Sequence, residues 1–304
     1  MPRLRLPEST YAVVTPVLNE RENLDRLEGA LSSQTVAPLA WVIVDTGSED
    51  GGIERAEALA GEHPWIRTLA VSPGRARGGP IVRAFNAGLS AVPRGVDVVV
   101  KVDADVSFEH DYFARLLEAF AAEPRLGIAS GACLEIREGE WRPRHVTAGN
   151  VWGACRAYRL ACLEQVSPLE ERMGWDGIDV LKASARGWRT GLVDGLTFRH
   201  HRGEGSRDGS RFAPWIARGR VAHYMGYRPS FLVIRALRHT LSNPAAIMMI
   251  AGWAKPALAR EPACSDETAR AYLRRQQRLR ELPKRAREAL GMRAIGRADQ
   301  ASRP

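Results

Sequence analysis

The sequence predicts an α/β fold with a mostly parallel central sheet and helices on both faces, and three observations predict it. Continuous Val/Ile-rich runs recur in the first hundred residues. Segments with helical apolar spacing alternate with them. Each apolar run ends in a polar stretch, and strands buried on both faces with crossover helices read this way. Ligands of such sheets sit beyond the C-terminal ends of the strands, so those polar stretches are the residues to examine.

Tyr11–Thr15 is the first strand, and Glu22–Ser33 then aligns Leu24, Leu27 and Leu31 on one helical face. Trp41–Asp45 is the second strand, Thr46–Gly52 a loop and Ile53–Ala60 a helix. Ile66–Val71 is the third strand, followed by a Gly-rich stretch from Gly74 to Gly79 and a helix over Ile81–Ala91. Val96–Asp103 is the fourth and most apolar strand. Beyond it, His110–Ala121, Arg156–Val166 and Asp176–Arg186 read as helices, and Gly127–Ile136 and Thr190–His201 as strands. From Phe231 the chain reads as helical and basic, punctuated by Pro244, Pro256 and Pro262. The division predicted is residues 1–230 and 231–304.

The chain has 304 residues, 45% hydrophobic and 26% charged, which excludes wholesale disorder and a multispan membrane protein. Its net charge is +9, but Lys255–Pro304 alone holds 13 basic and 6 acidic residues, +7, leaving +2 for the rest. A nearly neutral body argues against a nucleic-acid partner. Cys133, Cys155, Cys162 and Cys264 lack zinc-ligand spacing and read as buried thiols of a reduced compartment. Neither the N-terminus nor the uncharged run Thr240–Ala254 is long and apolar enough for a signal or spanning segment, so a cytoplasmic location is expected.

Three strand ends carry chemistry. They are Thr15-Pro16-Val17-Leu18-Asn19-Glu20, Asp45-Thr46-Gly47-Ser48, and Asp103-Ala104-Asp105. Two carboxylates one residue apart at a strand end can both face a divalent cation, and Mg²⁺ or Mn²⁺ is satisfied by such carboxylates plus phosphate oxygens. An isolated D-x-D is more often a solvated turn. Its position after VVVKV, one strand over from Asp45, favours the metal. The stretch Gly74–Pro80, with Arg75 and Arg77, reads as a flexible helix entry or as a phosphate cradle.

With these motifs in order (TPVLNERENL, VDTGSEDG, RAFNAG and KVDADVSFEHDYF), the chain over residues 10–202 resembles family 2 of the inverting, A-type, Rossmann-like glycosyltransferases. The resemblance implies that Pro16, Asn19 and Glu20 border the nucleotide, and that Asp45 binds its base or ribose. It implies that the helix bearing Asn86 packs close to the nucleotide, and that Asp103 and Asp105 hold the metal–diphosphate. Thr46 stands where the family often has a second Asp. It also places a His-x-Arg at Phe198–Arg202, which selects His200 as third metal ligand and Arg202 beside the donor, with His201 as runner-up.

Inverting transfer to a hydroxyl needs a carboxylate base on the acceptor side. The family usually has Glu-Asp before the helix ending at Gly187; here Trp175 holds the first place and Asp176 the second, so Asp176 is the candidate base. Asp176 could instead cap that helix, and Asp179 reads as a first-turn charge. Trp152, Tyr158 and Trp175 are candidates for stacking on a sugar, though aromatics are more often core. Phe231–Leu241 is amphipathic and basic. Such a segment either lies on an anionic bilayer or packs back on the domain.

The leading expectation is a Mg²⁺- or Mn²⁺-dependent transferase that uses a nucleotide-diphospho-sugar donor. Its acceptor would be a glycan or lipid-linked, for polysaccharide or cell-surface glycolipid assembly, and it would sit peripherally at the inner face of the plasma membrane. A sugar-phosphate nucleotidyltransferase would carry a Gly-rich loop after strand one, where this chain has PVLNE. A non-catalytic adaptor would have no use for Asp103, Asp105 and Asp176.

Overall fold

The computed structural model describes residues 9–72, 78–144, 149–202, 210–278 and 281. The first half alternates as read: β1 (Tyr11–Val17), α1 (Arg21–Ser32), β2 (Ala40–Asp45), α2 (Gly52–Glu62), β3 (Ile66–Ala70), α3 (Gly79–Leu89) and β4 (Val98–Val102). β5 (Val106–Phe108), α4 (Tyr112–Ala122), β6 (Leu126–Arg137), β7 (Glu140–Pro143), β8 (Cys155–Arg159), α5 (Leu160–Val166), α6 (Trp175–Ala185) and β9 (Arg189–His200) follow. Helices α7 (Ala213–Tyr224), α8 (Pro229–Thr240), α9 (Met248–Leu258) and α10 (Glu267–Gln276) close the described chain.

One sheet runs β3-β2-β1-β4-β8-β6-β9-β5, with β7 paired to β6. β1 is parallel to β2 and β4, and β2 to β3, so Asp45 stands two strands from Asp103 and not one, because β1 lies between them. Antiparallel pairing enters with β8 on β4, so the second half of the sheet is mixed. Side chains alternate between its two faces with period two. Tyr11, Val13, Trp41, Ile43, Val98 and Val100 face a core closed by α1, α2 and α4. Ala12, Val14, Val42, Val44 and Val99 face a second core closed by α3, α5 and α6. Each buried Val, Leu or Ile contributes about 1.5–3 kcal/mol by leaving water. Gly88 lets α3 press on the sheet, since a Cβ there would lie 2.4 Å from Val14 Cγ1.

One element differs from its reading. Cys155–Arg159, the start of the expected helix Arg156–Val166, is a strand buried between β4 and β6, and only Leu160–Val166 is helical. Pairing on both edges overrides the helical spacing of its arginines.

The C-terminal helices pack back on the domain. Gly219 and Gly252 bring the backbones of α7 and α9 together: a Cβ at Gly219 would lie 2.1 Å from the Met249 carbonyl. Trp215, Ala222, Leu232, Ala236 and Met249 form one cluster across residue 230. Ala269 and Leu273 of α10 join Ile178 and Leu181 of α6 in another. Among the described residues no helix is long and apolar enough to cross a membrane.

Candidate active site

Parallel strands β1, β2 and β4 deliver their C-terminal ends to one edge of the sheet, and the loops after β1 and β2 are tied together there. Asn19, at φ 56°, donates its backbone N–H to Ser48 Oγ (2.9 Å) and accepts the Glu49 N–H on its side chain (2.8 Å). Asp50 accepts the Arg21 N–H at 2.9 Å. The Asp45 carboxylate is buried and accepts the N–H groups of Gly47 (2.8 Å) and Ser48 (3.2 Å), which shapes the turn. Pro16 lies half-buried in β1 opposite Val44. Asn86 is half-buried on α3.

The acidic pair is brought to its histidine by strand register. The chain leaves β4 at Asp103, passes Asp105 and enters β5, which pairs antiparallel with β9 so that Val106 faces His200. His200 Nε2 then lies 3.3 Å from Asp105 Oδ1, and Asp103, Asp105 and His200 offer donor atoms all within 4.8 Å of one another. His201 points elsewhere, bonding Ser107 Oγ at 2.8 Å with its ring edge-on to Trp141. Burial would raise the Asp105 carboxyl, but the hydrogen bond and charge of His200, with Arg202, hold it below the usual carboxylate range. Burial works against the His200 cation, yet Asp105 and Cys133 push its pKa up to about 10.

Arg202 clasps Glu20 with two bonds of 2.8 and 2.7 Å, and its Nε is 3.7 Å from Asp105 Oδ2. It thus joins the first loop to the acidic pair. Two residues went unnoticed in the sequence reading. Lys101, buried inside β4, pairs with Asp103 and donates to the Gly153 carbonyl at 2.7 Å. Its signal was present: a charge inside VVVKV, on the same strand face as Asp103 two residues on. Glu135, buried on β6, lies 3.5 Å from His200 Nδ1.

Asp176 is the second residue of α6, whose N-cap is Gly174, so it does not cap the helix. Half-buried, its carboxylate faces Gly153, the segment bonded to Lys101. Asp179 is corrected from a first-turn charge to a buried ion-pair partner. Arg156 binds both its oxygens (2.9 and 2.6 Å), and the Tyr158 hydroxyl donates to it as well. Burial pushes the Asp179 carboxyl up to about 6 against the pull of Arg156. Tyr158 and Trp175 are core residues, with Arg156 5.6 Å over the Trp175 ring. Gly74–Arg77 of the Gly-rich stretch lie outside the described residues.

The donor set fits a divalent cation: two carboxylates and one imidazole with mutually close donor atoms suit Mg²⁺ or Mn²⁺.

Comparison with known proteins gives this α/β domain its class, that of a glycosyltransferase. Residues 12–167 match the model of glycosyl transferase family 2, and the chain belongs to that family. An undecaprenyl-phosphate mannosyltransferase of Micrococcus luteus is 35% identical over 106 residues, 35% of this chain and 42% of that protein. A polyprenol monophosphomannose synthase of Mycolicibacterium smegmatis is 32% identical over 125 residues, 41% of this chain and 46% of that one. The match thus spans less than half the length of these relatives. The mannosyltransferase of Pyrobaculum calidifontis, solved with GDP-mannose and Mn²⁺, shares the fold with a TM-score of 0.56 at 19% identity, over 93% of this chain and 85% of its own.

Proposed function

We propose that the protein transfers a sugar, with inversion, from a nucleotide-diphospho-sugar to a lipid-linked or glycan acceptor, and that Asp103, Asp105 and His200 hold Mg²⁺ or Mn²⁺ at the donor diphosphate. The observation that carries this reading is the convergence of those three side chains beside the tied loops after β1 and β2. A bound cation supplies charge to neutralise the departing diphosphate. Arg202 adds a fixed positive charge beside the same carboxylates. Pro16, Asn19, Glu20 and Asp45 border the nucleoside, with Asp45 fixing the second loop's turn. Asn86, half-buried on α3, which packs against β1 and β2, belongs to the nucleotide side in this reading. Asp176 accepts the proton of an acceptor hydroxyl.

The relatives' names favour a second reading of the acceptor, a polyprenyl phosphate. A phosphate monoester, with a second pKa of about 6, is already largely ionised at neutral pH and needs no base. Asp176→Asn separates the two. Turnover falls by about 10²-fold or more if the acceptor is a hydroxyl. It stays within a few-fold if the acceptor is a phosphate. The test of the function itself is a panel of UDP-, GDP- and dTDP-sugars with Mn²⁺, GDP-mannose first, offered to polyprenyl phosphate and to glycans. No transfer from any donor would refute the reading.

In this reading residues 1–230 carry the transfer, and 231–304 bring the protein to an anionic membrane at its cytoplasmic face. Val233, Ile234, Leu237 and Leu241 form an exposed apolar stripe on α8 and its end, opposite the buried Leu232 and Ala236, with Arg238 beside it. An apolar stripe flanked by basic residues suits the surface of an anionic bilayer.

A further inference from the structure

Behind the acidic pair stands a carboxylate that the transfer reading does not use. β6 and β9 run parallel with Glu135 opposite His200 and Cys133 opposite Phe198. Residues two apart on a strand share a face, so Cys133 and Glu135 both look toward the His200 ring. Glu135 is only 6% exposed. A carboxylate is costly to bury and persists only where charged partners meet it. Arg144 meets one oxygen at 2.8 Å, and Arg137 lies 3.9 Å from the other. The oxygen that takes Arg144 also lies 3.5 Å from His200 Nδ1, while Nε2 of that ring lies 3.3 Å from Asp105. The imidazole is therefore held between an inner carboxylate, Glu135, and an outer one, Asp105.

Histidines that bind metals commonly have their other ring nitrogen held by a carboxylate, which fixes the ring and its tautomer. We infer that Glu135 is a positioning residue: it holds Nδ1 of His200 and so presents Nε2 to the cation bound by Asp103 and Asp105. The inference rests on the metal reading above. It makes Glu135 part of the metal site without contact with ion or donor. Arg144 and Arg137 hold the Glu135 carboxylate in place, and β6–β9 register fixes its distance from the ring.

The test is direct binding of Mn²⁺ alone to the metal-free, full-length protein, read from the electron paramagnetic resonance of free Mn²⁺. Wild type, Glu135→Gln, His200→Ala and the double variant are compared, with circular dichroism melts to establish folding. Glu135→Gln is expected to weaken Mn²⁺ binding by about 10–100-fold. In the His200→Ala background it should cost no more than about twofold further, because the two residues act as one unit. A residue that merely supports the strand would instead give multiplying losses. Should Glu135→Gln not fold, Glu135→Asp keeps the charge against Arg144 while drawing the carboxylate back, and carries the same expectation. Wild-type affinity in the Glu135 variant, or multiplying losses in the double variant, overturns the inference. Unchanged affinity in His200→Ala overturns it too and removes His200 from the ligands. Absence of Mn²⁺ binding by the wild type overturns it together with the metal reading.

Discussion

At the scale of single residues, Asp176 and Asp179 lie three positions apart on α6 and do opposite work. Asp179 is 1% exposed, and its Arg156 partner is fully buried. Removing one member of a buried pair strands the other's charge, so Asp179→Asn should cost about 3–5 kcal/mol in urea unfolding. Asp176 is half-buried and faces Gly153, so Asp176→Asn should change stability by only about 0.5 kcal/mol or less. Equal, small costs for both would contradict the buried pair. The sequence makes Asp176 the candidate base but reads Asp179 only as a first-turn charge, since both stand at the start of one helix. What distinguishes them is Arg156, and the sequence reading put that arginine on a helix rather than on β8. Asp103 and Asp105 could be read from a strand end and His200 from the family resemblance, and the structure brings the three close together. Glu135 was not legible, because it sits inside a run that otherwise reads as apolar strand, whereas Lys101 carried a signal, a lone charge inside VVVKV.

At the scale of elements, β1 to β4 and their helices were legible because local pattern and tertiary role agree: Val/Ile runs are buried on both faces. β8 was hidden because its strand character comes from neighbours remote in sequence. Two carboxylates reinforce the apolar attachment of the C-terminal helices. Glu170 accepts from Lys182 of α6 (2.9 Å) and from the Tyr224 hydroxyl of α7 (2.7 Å). Asp266 caps α10 at the Ala269 N–H (2.9 Å) and pairs with Arg186 just past α6 (2.8 Å). Burial would raise both carboxyls, but these bonds and charges hold both below their ordinary values. Carboxyls depressed in the folded state stabilise it above their unfolded pKa values, about 3.9 for Asp and 4.3 for Glu, and that contribution is lost as pH falls through the lower folded values. Hydrogen-exchange protection factors in α7 and α10, with each rate taken against the intrinsic amide rate at the same pH, should therefore fall between about pH 5 and pH 3 before those of the central strands do. Glu170→Gln and Asp266→Asn should flatten that dependence. A protection factor in α10 that stays level across this range would contradict the attachment described.

At the scale of the whole molecule, the sequence left the basic region two fates, bilayer or domain, and the structure assigns faces rather than fates. Leu232 and Ala236 of α8 turn inward, while Leu237 is 53% exposed and Leu241 91%. α10 docks on α6. Cutting the chain near Tyr227 would uncover Ile178, Leu181 and Met225, so surface substitutions test membrane binding more cleanly than truncation. The intact protein should bind anionic liposomes, and 0.5 M salt should weaken binding by shortening the Debye length to roughly 4 Å. Leu237→Glu with Leu241→Glu should abolish that binding and leave donor affinity unchanged. Liposome binding that survives both the salt and the substitutions would contradict a docking role for α8.

The central claim is that Asp103, Asp105 and His200 join cation to donor. Calorimetric titration of GDP and UDP into the protein, with Mn²⁺ and then with EDTA, tests it most directly. The account predicts tight binding of at least one nucleotide with Mn²⁺ and its loss in EDTA. It also predicts loss in Asp105→Ala with the melting transition preserved. Undiminished nucleotide binding by the wild type in EDTA, or by Asp105→Ala with Mn²⁺, would contradict it.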